Sequence, residues 1–101
     1  MRSFLVESYL PRSADALDTA SAHALRAAEI AASDGFGIRY VRTTLVRVDE
    51  TCFHMFAADS LETVETAMSR AGLVADRIVQ ACETDPQPTE EEHDRRDRRT
   101  R

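Results

Sequence analysis

The sequence contains no lysine: all 13 basic residues are arginine, which excludes Schiff-base chemistry. Three glycines are too few for a phosphate-cradling loop, and no nucleophile elbow, HExxH or paired-carboxylate spacing occurs, so nothing in the chain argues for catalysis. The two cysteines, Cys52 and Cys82, lie thirty residues apart without a CxxC, which argues against a disulfide framework or a closed structural zinc site. No apolar run approaches the roughly 18 residues of a membrane span. Glu7 interrupts the start too early for a signal peptide, so the expectation is a cytoplasmic protein with no membrane segment. With 18 acidic residues and a net charge of −5, nucleic acid is not an expected partner.

What is present is enough for one small domain: 101 residues, 43% of them apolar and 31% charged. The composition changes at Asp85. Residues 85–101 hold eleven charged side chains among seventeen and nothing apolar beyond two prolines, so they cannot bury enough surface to offset ordering and are expected to be a disordered tail. Residues 1–84 are left to fold, a size at which dimerisation often supplements a single core.

Phe4 to Leu10, closed by Pro11, reads as a first strand. Ser13 is placed to cap a helix whose stripe of Leu17, Ala20 or Ser21, Ala24, Ala28 and Ala31 runs to Gly35. Ile38 to Val48 and Thr51 to Ala58 are β-branched and aromatic and form a hairpin about Asp49-Glu50. Asp59, with Glu62 three residues on, is placed to cap a second helix, with Leu61, Val64, Met68 and Ala71 on one stripe and Gly72 at its end. Ile78 to Glu83 is a last strand. The order β-α-β-β-α-β is that of the α+β ferredoxin-like fold: an antiparallel sheet in the order four, one, three, two, with two helices on one face and the other face open.

Alternation then divides each strand between two faces. Apolarity assigns Phe4, Val6, Val41, Leu45, Phe53, Met55 and Val79 to the helices, a register that needs an odd-numbered hairpin loop or a bulge around Val48 to Glu50. The open face would display Glu7, Tyr9, Tyr40, Arg42, Cys52, His54 and Phe56, with Ile78, Gln80 and Cys82 from the last strand. Cys52 and Cys82 would then lie roughly 9 to 10 Å apart, beyond disulfide reach. A thiolate, an imidazole and a carboxylate on one surface suit nickel, zinc or copper. Plainer readings stand beside this one. Either cysteine also reads as a small buried hydrophobe, His54 as a hydrogen-bonded or interface histidine, and Glu7 as half of a structural pair with Arg42 or Tyr40.

Four segments, Phe4-Leu5-Val6-Glu7-Ser8-Tyr9-Leu10-Pro11, Ile38-Arg39-Tyr40-Val41-Arg42-Thr43-Thr44, Asp49-Glu50-Thr51-Cys52-Phe53 and Arg70-Ala71-Gly72-Leu73, carry a resemblance. Over residues 1–84 the chain resembles small bacterial nickel-binding proteins of ferredoxin-like fold, whose wider group is a domain of unknown function. The resemblance implies a homodimer, a four- or five-stranded sheet with two helices, and divalent nickel bound at the protein surface; it does not imply catalysis. Glu7, Tyr9, Arg42 and Cys52 fall within the matching segments. The candidate metal ligands are Glu7, Cys52 and His54, with Cys82 behind them. A rival reading makes the open face a pocket between two sheets of a dimer, binding or transforming a small organic molecule with Glu7 or His54 as acid or base and Tyr9, Tyr40 and Arg42 as orienters. A third is a plain dimerisation module.

Overall fold

A computed structural model of the chain describes residues 1–13 and 15–82. The expected boundary at residue 84 and the tail 85–101 lie outside the described residues. The elements run β1 (Arg2–Tyr9), α1 (Ala16–Ser33), β2 (Ile38–Val46), a single 3-10 turn (Arg47–Asp49), β3 (Thr51–Ala58), α2 (Leu61–Ala71) and β4 (Arg77–Ala81). The four strands form one antiparallel sheet in the order β2-β3-β1-β4, the order expected of this topology. Buried residues of both helices join Phe4, Val6, Ile38 and Phe56 in one core, so α1 and α2 cover the same face.

Local signals placed the elements well and the caps less well. The N-cap of α1 is Asp15, not Ser13, and its side chain makes no capping bond. The N-cap of α2 is Ser60, not Asp59, its hydroxyl accepting from the Thr63 amide at 3.2 Å. Both helices end as expected at a glycine of positive φ, Gly35 and Gly72. At each, the following amide reaches back a full turn, Phe36 to the Ala31 carbonyl and Leu73 to that of Met68, closing a Schellman motif. The second of these turns sends the chain back toward the end of β1.

Helix α1 buries only alanines: Ala24, Ala27, Ala28 and Ala31. It therefore lies close to the sheet, and the large side chains of the core come from the strands. Here the face assignment is corrected. Phe4 pairs with Phe56, Val6 with His54 and Ser8 with Cys52, so the helix-facing set on β3 is Cys52, His54 and Phe56. Phe53 and Met55 pair with Glu7 and Leu5 on the outer face, where Val79 joins them opposite Leu5. Ile78 and Gln80, opposite Val6 and Phe4, fall on the helix side.

Two features of the hairpin cause the inversion. Its connection, Arg47 to Glu50, has an even number of residues and ends with Glu50 at φ 47°, so Leu45 stands opposite Cys52 rather than Phe53. The bulge lies not in the turn but at Val41, between the pairs Tyr40 with Phe56 and Arg42 with Met55. Tyr40 and Thr43, three residues apart, thereby share the helix side, while Arg42 remains outside as expected.

Candidate metal centre

The helix side of the sheet carries a line of polar side chains through the core. His54 and Cys52 are each 1% exposed, two residues apart on one face of β3. The Cys52 sulfur lies 3.5 Å from His54 Nε2. On the other side of the ring, His54 Nδ1 is 2.7 Å from the Thr43 hydroxyl, which is 2.7 Å from the Tyr40 hydroxyl, which is 3.1 Å from the Ser21 hydroxyl on α1. This chain of hydrogen bonds explains how a histidine can be buried without cost from an unpaired nitrogen. Among the described residues no buried side-chain nitrogen or oxygen lacks a partner. Tyr40 also packs edge-on against Phe56, with ring centroids 5.8 Å apart.

A pocket of about 260 Å³ opens onto this pair, walled by Ser8 and Tyr9 of β1, His23 of α1, and Leu73 and Val74 after α2. Its walls are tied down. Ser8 donates its hydroxyl to the Val74 carbonyl at 2.8 Å, the Asp76 amide donates to the Glu7 carbonyl at 2.8 Å, and the Asp76 carboxylate accepts from the Tyr9 amide at 2.9 Å. His23 Nε2 is 3.0 Å from the Ala71 carbonyl, at the pocket edge.

Burial sets the protonation of the pair. It pushes His54 down from 6.5 to about 4, with the neighbouring His23 adding to the fall, so the ring is neutral at pH 7. It pushes the Cys52 thiol up, and Asp76 pushes the same way, against partial relief from the backbone amides of Cys52 and Ser8. A neutral thiol beside a neutral imidazole is not the thiolate-imidazolium pair of a cysteine nucleophile. It is a pair of soft and borderline donors aimed into one pocket, from which a metal ion would displace the thiol proton.

The other expected ligands stand apart. Glu7 is on the outer face, where its Oε2 lies 3.5 Å from Nε of Arg77, so its ionic partner is an arginine of β4 rather than Arg42 or Tyr40. Cys82 follows the end of β4 and is exposed. Because Ala81 pairs with Ser3 while Cys52 pairs with Ser8, the two thiols are separated along β1 by roughly 17 Å or more, not brought side by side. Among the described residues no group of three or more His, Cys, Asp or Glu side chains is assembled to hold a metal ion. The pair Cys52 and His54 is what the fold brings together. Sequence reasoning put Tyr40 on the same face as His54 but missed Thr43 and Ser21, whose only signal was a run of hydroxyls in β2 and one in the alanine stripe of α1. The rival open-face pocket loses His54 and Tyr40, which lie under the helices. A larger cleft of about 850 Å³, between the start of α1 and the hairpin end, is lined by neither imidazole nor thiol. No helix among the described residues is long and apolar enough to cross a membrane.

Comparison with known proteins bears on the fold and the family. Among curated proteins none matches the chain. The crystal structure of SCO4226 from Streptomyces coelicolor A3(2) matches it with a TM-score of 0.59 at 19% identity, over 82% of this chain and 99% of that one, which supports the fold. The family model described as nickel responsive protein SCO4226-like matches residues 4–80, in accord with the resemblance read from the strand and turn segments. The chain belongs to the SCO4226-like family of nickel-responsive proteins.

Proposed function

We propose that this protein is a non-catalytic, homodimeric, cytoplasmic binder of a divalent transition metal, nickel above all, and that Cys52 Sγ and His54 Nε2 are its protein ligands. The observation that carries the reading is the convergence of these two uncharged donors, 3.5 Å apart, on a small pocket beneath the helices. The description of the family as nickel responsive supports nickel as the metal. Two protein donors leave the further coordination positions to water in the pocket. Both thiols are free, as suits a reducing compartment. Of the four ligands expected from the sequence, the proposal keeps these two.

Calorimetric titration of the tag-free, full-length chain with Ni²⁺, with Zn²⁺ and Cu²⁺ beside it, tests the reading. Stoichiometric binding at micromolar concentration or tighter is expected, and Cys52→Ser or His54→Gln weakens it by about tenfold or more. Binding unchanged in both variants would remove these residues from the site.

The homodimer rests on the outer face. Leu5, Phe53, Met55 and Val79 make an apolar stripe there that neither α1 nor α2 covers, an arrangement suited to a second copy. Met55→Glu, in the middle of that stripe, is expected to halve the mass measured by sedimentation while leaving the circular dichroism spectrum unchanged. A wild-type protein that sediments as a monomer at tens of micromolar would end this part of the proposal.

A further inference from the structure

A histidine that binds a metal through one ring nitrogen needs the proton on the other, and that proton needs an acceptor. The hydrogen-bonded chain behind His54 can run in either of two directions. In one, Ser21 donates to Tyr40, Tyr40 to Thr43 and Thr43 to Nδ1, which leaves the proton on Nε2, pointing at the Cys52 sulfur. In the other, His54 Nδ1 donates to Thr43, Thr43 to Tyr40 and Tyr40 to Ser21, which leaves the Nε2 lone pair facing the sulfur and the pocket. The distances of 2.7, 2.7 and 3.1 Å accommodate both. Only the second is competent to ligate.

Resting on the metal-binding reading above, we propose that Thr43 is the positioning residue of the Cys52-His54 centre, accepting the Nδ1 proton of His54 and so presenting Nε2 to the metal. Two further observations support the assignment. Among the described residues the Thr43 hydroxyl is the one group bonded to Nδ1, and the ring is 1% exposed, so bulk water does not take its place as acceptor. The bulge at Val41 puts Tyr40 on the same side as Thr43, giving the Thr43 hydrogen an acceptor of its own. Without that second bond, Thr43 would keep its hydrogen available for Nδ1 and favour the incompetent direction. Tyr40 acts on the site only through Thr43.

Two readouts on the full-length protein test this. In the metal-free state, a long-range 15N–1H correlation spectrum reports which ring nitrogen of His54 carries the proton. The wild type is expected to show Nδ1–H, Thr43→Val to shift toward Nε2–H, and Thr43→Ser to restore Nδ1–H. In parallel, calorimetry with Ni²⁺ is expected to show affinity lowered about 10- to 100-fold in Thr43→Val and recovered in Thr43→Ser. A purely structural role for Thr43 would change stability but leave the tautomer in place. If Thr43→Val does not fold, Thr43→Ala removes the same hydroxyl and is read the same way. Nε2–H in the wild type, or Nδ1–H retained in the hydroxyl-free variant, overturns the proposal. Absence of nickel binding by the wild type would overturn the functional reading instead, and the tautomer comparison would still decide the part played by Thr43.

Discussion

Replacing Phe56 with alanine lowers the stability of this protein by about 4 kcal/mol, the middle of the range for a buried phenylalanine. Phe56 is wholly buried and lies between Tyr40 and His54, opposite Phe4 on the neighbouring strand. The inner side of α1 is built of alanines, which offer no long side chain to swing into the space. At about 4 to 8 °C per kcal/mol for a domain of this size, the thermal midpoint falls by roughly 20 °C. Phe53, three residues earlier and of the same type, supplies the control. It is on the outer face, in the stripe proposed for dimerisation, and Phe53→Ala is expected to act through that association, changing how the midpoint depends on protein concentration rather than lowering it uniformly. If Phe53→Ala proved the more damaging at every concentration, the face assignment would be reversed.

The second large effect is on pH. The ring of His54 titrates at about 4 when folded and at 6.5 when free, so between these values the unfolded chain binds the proton that the folded one refuses. Stability from this group is therefore full above pH 6.5 and is lost as the pH falls toward 4, a total of about 3 kcal/mol. The groups facing His54 act in the same sense: His23 on α1 opposes a second positive charge, and the Cys52 thiol offers none to balance it. Denaturant midpoints of the protein in chelator at pH 7 and pH 4.5 measure the effect, and His54→Gln is expected to flatten the difference. An equal midpoint at the two pH values in the wild type would mean that the ring is not held neutral. Cys52 works at the other end. Its thiol titrates above its ordinary value of about 9, so its contribution is full below that pH and is lost as the pH rises through the folded value.

How much of this was legible in the sequence follows from the range over which each feature is decided. Strand and helix order, the hairpin and the glycine stops at Gly35 and Gly72 depend on residues within a few positions of one another, and they read correctly. So did the strand order and the inward placement of Phe4 and Val6. The faces of β3 did not. Both of its alternating sets are apolar enough to be buried, since Phe53, Met55 and Ala57 compete with Cys52, His54 and Phe56. The choice is made by the length of the hairpin connection and by the bulge at Val41, neither of which has a composition of its own. The partner of Glu7 was misread for a related reason: it comes from β4, whose register against β1 no local pattern announces. Cys52 and His54 were legible as metal-binding residue types, and their spacing of two on a strand places them on one face. That this face lies under the helices, where both are buried and uncharged, could not be read without the pairing.

The extra residue in β2 also bears on how a chain of this kind can change over generations. In a regular strand the gain or loss of one residue exchanges inside for outside along everything on one side of the change. Val41 has no counterpart on β3, so its deletion would leave Tyr40 opposite Phe56 and Arg42 opposite Met55, with inside and outside unaltered. A deletion elsewhere in the second half of β2 could be taken up at the same point, disturbing only the few residues between. The strand thus holds one residue of slack, and lineages descended from such a sequence can differ in length at this position while keeping the buried imidazole and thiol where they are.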